Sequence, residues 1–421
     1  MGSHRQPANS PIRILLPEGS SLSAREAIAA LGPQGYVIDV CDPNPLCIGR
    51  FSRFVRNFYR CPILRQDPYA YLSFLLRLLS EQHYDALMPV HEQAFLFARA
   101  AAQISRRVGL AVADFGIFER LQSKAIFIDV LDELNLPHPR TLIIHSRADL
   151  ECATSFPYYI KTAYGTAGNG TWRVTNAAEQ AAIISMLDQR GWLDNSEAVI
   201  VQDVAPGVLE VAQSIFSHGQ LIAAHCYQQR IEGVGGSASG RVSVRRPVVR
   251  EHLQQLGRHL DWHGSLMIDY LYNEHTGQVA YIDPNPRMGE TMNATLSGIN
   301  LAEIMVRLSL NEVPIVRNQS TVGVQSHILL AVLLGLATRG GTRRDLLREV
   351  GLALFKQGQY EHSHEECAIV REDFFSLLPL VIVLGQLLIN PKQGGKIAAK
   401  AIRNYAITSE AAEQIRNLQF E

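Results

Sequence analysis

The chain has 421 residues, of which 47% are hydrophobic and 19% charged, and its formal net charge is −1. This length predicts two to three domains, and the balanced charge excludes a globally basic nucleic-acid-binding protein. The six cysteines form no CxxC pair, and the polar N-terminal segment lacks an apolar signal core. We therefore expect a reduced, cytoplasmic protein with no nucleic-acid partner.

Strands and helices alternate over residues 1–113. Short apolar runs at 12–16, 36–40 and 86–90 predict strands, and amphipathic stretches between them predict helices. This alternation is typical of an α/β domain with a parallel sheet. No GxGxxG sequence follows the first strand, which argues against a standard dinucleotide-binding fold.

From residue 114 onward the pattern changes. A helical stretch at 118–134 precedes strands whose spacing predicts a mostly antiparallel sheet. We divide this α+β region into residues 114–200, which contain a glycine-rich segment, and residues 201–311. Residues 312–421 predict a mostly helical C-terminal extension. The expected fold is therefore an α/β domain, two α+β domains and a helical extension.

Two short strands in the second α+β domain end near carboxylates. Asp269 lies on one strand, and Asp283 is followed by Asn285 on the next. On adjacent antiparallel strands the two acids can face each other, and a period of two places Asp283 and Asn285 on one face. Two carboxylates and an amide oxygen suit Mg²⁺, which takes further ligands from substrate phosphates. The pattern predicts a nucleotide triphosphate site, although Asp-Pro-Asn-Pro alone is also an ordinary turn sequence.

A lysine at a strand end leads into a glycine-rich turn. Lys161 precedes a turn that contains Gly165, Gly168 and Gly170. Glycines let backbone N–H groups approach phosphate oxygens, and a lysine adds a point charge. Lys124 opens a helix from which it could reach the same phosphates. The alternatives are a plain glycine-rich hairpin and a solvated surface lysine.

A strand at 199–203 runs into a turn and is a candidate adenine-binding segment. Asp203, Val204 and Ala205 could offer backbone groups to adenine, and Glu210 could accept from ribose hydroxyls. The alternative is a strand–turn–strand connection with an exposed glutamate.

The substrate candidates lie in two places. A glycine-rich stretch at 230–247 is predicted to be a long loop that closes over a reacting acid, or otherwise a mobile surface loop. The end of a strand in an α/β unit is a usual ligand position, and a glutamate there could hold a substrate amine. The candidate residues are Arg230, Arg241, Arg245 and Glu92.

The stretch 374–403 begins with an apolar run at 374–389 and continues with several basic residues. Sixteen residues are fewer than the roughly 20 that a membrane span needs. The run predicts either a helix buried against the apolar stretch 328–337 or a helix lying on a membrane surface.

Taken in order, these motifs resemble the ATP-grasp superfamily of ligases over about residues 113–311. The segment 297–301 is also similar to the start of that family's closing helix. The matching elements are Lys124, Lys161 with 165–170, 202–207 with Glu210, Asp269, and 283–287.

The resemblance implies a nucleotide held between two α+β subdomains, with residues 1–113 as the domain that usually precedes them. It implies ATP with Mg²⁺, for which Mn²⁺ could substitute. Asp203 and Asp283 stand where the family often has glutamate, which puts the metal affinity in question. The implied roles are phosphate contacts from Lys124 and Lys161, adenine contacts from 203–205, a ribose contact from Glu210, metal ligation by Asp269, Asp283 and Asn285, and stabilisation of the transferred phosphoryl group by Arg287.

The implied reaction joins a small-molecule carboxylate to an amine, such as an amino acid or peptide-like compound. It proceeds through an acyl phosphate and releases ADP and phosphate. The sequence also resembles ligases of the superfamily that condense an amino acid with a phosphorylated enol. A nucleotide-binding regulatory module without turnover remains open, as do a homodimer and a peripheral membrane contact.

Overall fold

The computed structural model describes residues 10–144, 146–153, 155–165, 170–192, 199–316, 319–367, 373–403 and 406–420. Within these ranges the strands form three sheets, and helices pack on their faces.

The first sheet is parallel and has the strand order β3-β2-β1-β4. Its strands and helices are β1 (Arg13–Leu16), α1 (Leu22–Leu31), β2 (Val37–Asp42), β3 (Val55–Arg60), α2 (Pro68–Glu81), β4 (Ala86–Leu87), α3 (Gln93–Arg99) and α4 (Ala101–Ile104). The predicted parallel sheet is confirmed. The sequence pattern missed β3 because this edge strand is polar and only partly buried.

The second sheet is antiparallel and has the order β5-β8-β6-β7. The predicted helix at 118–134 is two helices, because the Ser123 hydroxyl accepts from Ile126 N and starts a new helix at Lys124. The elements are α5 (Phe115–Gln122), α6 (Lys124–Glu133), β5 (Thr141–Ile144), α7 (Arg147–Glu151), β6 (Tyr158–Thr162), β7 (Thr171–Val174), α8 (Ala177–Gln189) and β8 (Val199–Asp203).

The third sheet has the order β13-β12-β9-β10-β11-β14-β15. Its first part comprises β9 (Val208–Ser217), β10 (Gln220–Glu232), β11 (Ala238–Val244), α9 (Pro247–Leu260), β12 (Gly264–Tyr272), β13 (Val279–Asn285), α10 (Met292–Leu296) and α11 (Leu301–Ser309). The later elements are β14 (Gln325–His327), α12 (Leu329–Thr338), α13 (Arg343–Leu354), β15 (Ser363–Glu365), α14 (Leu378–Ile389), α15 (Gly394–Ile402) and α16 (Ser409–Arg416).

The predicted loop at 230–247 is wrong for most of its length. Strands β10 and β11 pair as a hairpin, and the turn lies at Val234–Gly236. Gly235 and Gly236 have positive φ and allow this turn, whereas Gly240 lies within β11 against the Ile231 side chain. The glycines therefore mark a tight turn and a close strand contact, and not a long lid.

The C-terminal region is helical, as expected, but it also contributes to the third sheet. Strand β14 pairs with β11, and β15 pairs with β14. Helix α14 contacts α12 through Leu387, which is fully buried, and four of its other apolar side chains are exposed: Leu378, Val381, Ile382 and Ile389. Within the described ranges, no helix combines the length and hydropathy that a bilayer crossing requires.

Candidate active site

Two carboxylates face each other on neighbouring strands. Strands β12 and β13 are antiparallel, and their register pairs Asp269 with Asp283 and Met267 with Asn285. The pairing shifts directly after Asp269, which marks a bulge at this position. Asp269, Asp283 and Asn285 line one cavity of about 560 Å³ between the second and third sheets. The fold thus brings three side chains with oxygen donors together in one cavity.

The electrostatics of this pair favour a cation. Burial, together with the nearby Asp283 carboxylate, raises the pKa of Asp269 to about 7, while Arg287, Lys124 and Lys161 oppose the rise. Two carboxylates this close cannot both ionise without cost unless a positive charge lies between them or beside them. Among the described residues no three histidine, cysteine or acidic side chains come together to hold a metal. Two carboxylates and one amide are hard oxygen donors that fit an ion which completes its coordination with waters and phosphates, as Mg²⁺ does.

Both predicted lysines lie beside the carboxylates. Lys124 Nζ is 2.8 Å from Asp283 Oδ1 and donates to the Gly165 carbonyl at 3.1 Å. Lys161 Nζ donates to Gln202 Oε1 at 2.7 Å and to the Ile282 carbonyl at 3.1 Å. Burial lowers the pKa of Lys161 to about 8, although Asp283 opposes this shift. Two buried cations near a carboxylate pair form a suitable receptor for a polyphosphate.

The glycine-rich turn is described only at its two ends. Gly165 lines the cavity, and Gly170 has φ +81° and accepts at its carbonyl from Thr162 N at 2.8 Å. A Cβ at Gly170 would lie 2.2 Å from Thr162 Oγ1, so only glycine fits there. Gly168 lies outside the described residues.

The other end of the cavity is apolar and suits a planar base. Its side chains come from both sheets, and they include Pro139, Tyr159, Leu209, Leu271 and Ile282. Of the predicted adenine segment, Asp203 and Ala205 line the cavity, whereas the Val204 side chain is 41% exposed outside it.

Glu210 lies on the face of β9 that is turned away from the cavity. Its carboxylate is fully buried on the opposite face of β9 from Leu209, where Arg246 donates to both oxygens at 2.9 and 2.6 Å and Tyr270 donates at 2.8 Å. The period of two in β9 turns Leu209 and Val211 toward the cavity and Glu210 away from it. The ribose contact of Glu210 stays a prediction, and the observed partners of its carboxylate are Arg246 and Tyr270.

Arg287 lines the cavity and is oriented by Glu92. Arg287 Nη1 donates to Glu92 Oε1 at 2.8 Å, and Gln122 donates to Glu92 Oε2 at 3.1 Å. Glu92 is outside the lining of this cavity, and its carboxylate is engaged by these two donors, so its contact with a substrate amine stays a prediction. His91 also lines the cavity and follows the same strand end, and no sequence motif marked it.

Of the three predicted substrate arginines, only Arg241 reaches the cavity. Arg230 and Arg245 are exposed and lie outside the cavity lining, because β10 and β11 carry them past it. Arg241 is buried and donates to Glu366 Oε2 at 2.6 Å, and its guanidinium is 3.6 Å from Glu290 and 3.8 Å from Glu26. Glu290 also lines the cavity, and no motif marked it in the sequence.

The chain is similar to known proteins in sequence and in fold. No family model matches the chain. A D-aspartate ligase of Enterococcus faecium is 23% identical over 301 residues, which are 65% of this chain and 69% of that protein. An L-amino acid ligase of Bacillus licheniformis has a similar structure, with a TM-score of 0.54, 16% identity, and coverage of 72% of this chain and 75% of that one.

A second structural neighbour was solved with a nucleotide. It is the biotin carboxylase domain of the 2-oxoglutarate carboxylase of Hydrogenobacter thermophilus, in complex with MgADP and bicarbonate. Its TM-score is 0.59 at 14% identity, and the match covers 74% of this chain and 72% of that chain. Similarity at this level of identity establishes a shared fold. The chain therefore shares its fold with this biotin carboxylase domain and with the L-amino acid ligase.

Proposed function

We propose that the protein is an ATP-dependent ligase that joins a carboxylate to an amine, with an amino acid or peptide-like compound as substrate. The observation that carries this proposal is the Asp269–Asp283 pair beside Lys124 and Lys161 in one cavity. The D-aspartate ligase and L-amino acid ligase among the similar proteins support the same reaction class.

In this mechanism ATP lies with its base among the apolar residues Tyr159, Leu209 and Leu271 and with its phosphates at the lysines. Asp269, Asp283 and Asn285 would hold Mg²⁺, which neutralises charge on the phosphates when bound. Lys124 and Lys161 add positive charge from buried positions and cost little reorganisation during the reaction.

The reaction then proceeds in two steps. An oxygen of the acid substrate attacks the γ-phosphorus, the bond to the β-phosphate oxygen breaks, and ADP leaves. The amine nitrogen attacks the carbonyl carbon of the resulting acyl phosphate, phosphate departs and the amine loses a proton. Arg287 is held by Glu92 at the cavity wall, where it can stabilise the transferred phosphoryl group.

A screen for phosphate release tests this proposal. Carboxylates are crossed with amines in the presence of Mg²⁺ and ATP, and products are identified by mass as acid plus amine minus water. We expect ADP and phosphate in equal amounts with the product, whereas AMP and pyrophosphate would exclude this chemistry.

Asp283→Ala is the matched variant for the same screen. It removes one proposed metal ligand, and we expect turnover to fall by at least about 100-fold while the fold is retained. Circular dichroism checks the fold. Unchanged turnover would contradict the metal assignment, and ATP binding without product from any pair would favour the regulatory module.

We also propose that the exposed apolar surface of residues 374–389 contacts an anionic membrane surface. The exposed cations Lys392, Lys396 and Lys400 follow this surface in sequence, and apolar side chains flanked by lysines suit an interface with anionic lipid. We define the surface by Phe374, Phe375, Leu378, Val381, Ile382 and Ile389, which are between 42% and 75% exposed.

Flotation with vesicles tests this contact. We expect the protein to float with phosphatidylserine-containing vesicles and the double variant Phe374→Ser/Phe375→Ser to remain in the soluble fraction. Recovery of the unmodified protein in the soluble fraction would contradict the proposal. A dimer in sedimentation that the same double variant dissociates would indicate a second copy as the occupant instead.

A further inference from the structure

The cavity extends beyond the carboxylates into a compartment formed by the C-terminal region. Helices α12, α14 and α15 and the hairpin turn contribute its walls. In the part of the chain that the structure describes, each side chain that these three helices add to the cavity is apolar. The apolar compartment is defined here by Val234, Leu330, Ala331, Leu334, Val383 and Ile397.

The compartment is firmly attached to the sheet that carries the active site. Ile328 N donates to the Ser239 carbonyl at 2.8 Å, directly before α12 begins. A Cβ at Gly335 would lie 2.5 Å from the backbone of Gly233, so α12 and the hairpin turn are in backbone contact. Arg339 also donates to the Gly233 carbonyl at 3.1 Å. These contacts fix the compartment walls relative to Arg241 on β11.

The position of the apolar compartment suits the acid or the amine substrate better than ATP. Strand β11 is three places from β12 in the sheet, which at about 4.8 Å per strand separates it from Asp269 by roughly 14 Å. The base-binding residues Leu209 and Leu271 lie on β9 and β12, on the side away from α12. A ligase must hold an acid and an amine together with ATP, so the remaining length of the cavity is available to them.

We propose that one of the two substrates carries a large apolar side chain, of leucine or phenylalanine size, and that the apolar compartment binds it. This inference rests on the proposed ligase function. Apolar walls offer a water molecule few hydrogen-bond partners, so a hydrocarbon group replaces water there at low cost. Each methylene that becomes buried is expected to increase affinity about fourfold.

The first experiment determines which substrate is apolar. The protein is given Mg²⁺ and ATP with equal amounts of glycine and L-leucine, and with glycine and L-phenylalanine. Fragmentation mass spectrometry of the dipeptide tells which residue supplied the carboxylate and which supplied the amine. We expect the large residue to be preferred at one of the two positions by at least about tenfold in kcat/KM.

The second experiment changes the compartment at Leu330, which is partly exposed toward the cavity. Leu330→Ala is expected to lower kcat/KM for the large substrate by about 10- to 50-fold and to leave that for glycine and the KM for ATP unchanged. Leu330→Trp fills the compartment and should reverse the preference. Leu336→Ala is the control, because Leu336 lies on the same helix with similar burial but outside the cavity.

A binding measurement separates this inference from the ligase proposal. L-leucine is expected to raise the melting temperature of the protein with MgADP, glycine is not, and Leu330→Trp should abolish the shift. Equal use of glycine and leucine at both positions, or equal loss for both in Leu330→Ala, would overturn the inference while ligation stands. A leucine shift without product from any pair would refute only the ligase proposal. The absence of both product and shift would refute both.

Discussion

At the scale of single residues, the site contains two carboxylates whose positions disfavour the folded state. Asp269 and Asp283 repel each other, and burial raises the pKa of Asp269 to about 7. A binding site that needs a cation commonly has this property, because the ion later compensates the repulsion. Stability without metal and activity with metal should therefore respond in opposite directions to a change at Asp269.

Asp269→Asn is the first prediction. The pKa of Asp269 is about 7 in the folded protein and 3.8 when unperturbed, so its protonated form stabilises the fold below 3.8 and this contribution is lost as the pH rises through 7. We expect the variant to gain about 1–2 kcal/mol over the parent at pH 8 without metal and nothing at pH 4, while turnover falls at least about 100-fold. Urea denaturation in EDTA measures the stability, and an equal gain at both pH values would contradict the assignment.

Glu210→Gln is the second prediction. Because Glu210 pairs with Arg246 and Tyr270 away from the cavity, the variant should lose about 1–3 kcal/mol of stability and keep its KM for ATP. Lys161→Met is the contrasting variant, and its KM for ATP should rise at least about tenfold. Steady-state kinetics distinguish the two. A large rise in the KM for ATP in Glu210→Gln would support a ribose contact by Glu210.

At the scale of elements, helix α12 connects the active-site sheet to the C-terminal helices. Its backbone touches the hairpin turn at Gly233, and its apolar side chains face both the cavity and the helices α14 and α15. The apolar pattern of α12 predicts burial, but the same pattern does not show that part of the helix lines a cavity. The contact between α12 and the hairpin turn determines which part of the helix lines the cavity.

A pair of glycine substitutions tests this contact. In Gly335→Ala the added Cβ would lie 2.5 Å from the Gly233 carbonyl carbon, so α12 must move, and we expect a loss of about 1–3 kcal/mol. Gly351 in α13 has no atom within 4 Å of an added Cβ, so Gly351→Ala should gain up to about 1 kcal/mol from helix propensity. Thermal or urea denaturation measures both. Equal effects of the two substitutions would contradict the close approach.

At the scale of the whole molecule, buried ion pairs tie the C-terminal region to the N-terminal unit and the third sheet. Arg25 in α1 pairs with Asp373 at 3.0 Å, and Arg241 in β11 pairs with Glu366 at 2.6 Å. These pairs join residues far apart in sequence. The C-terminal region is therefore a structural part of the cavity, and its removal should impair folding as well as substrate binding.

Buried histidines make the whole molecule sensitive to acid. Burial lowers the pKa of His225 and of His327 to about 4 from 6.5. The unfolded chain then binds more protons between these values, so stability is fully present above pH 6.5 and falls by up to about 3 kcal/mol per histidine toward pH 4. His225→Gln should weaken this dependence in urea denaturation across that range. His275→Gln in an exposed turn is the control and should leave it unchanged.

Much of the site followed from short-range patterns. The period of two along β13 places Asp283 and Asn285 on one face, and the lysine before a glycine-rich turn marked the part of the cavity where we propose that the phosphates bind. The same rule, applied to β9, could have shown that Glu210 points away from its neighbours Leu209 and Val211. The hydrogen bonds that Arg246 and Tyr270 donate to Glu210 could not be predicted, because both residues are distant from Glu210 in sequence.

By itself, the sequence determined the parallel N-terminal sheet and the pairing of β12 with β13, because these depend on local periodicity and turn chemistry. Only the tertiary structure decided that Glu92 orients Arg287, that Arg230 and Arg245 are remote from the cavity and that the C-terminal helices form its apolar end. Those features depend on contacts between segments more than 100 residues apart, for which a linear pattern carries no signal.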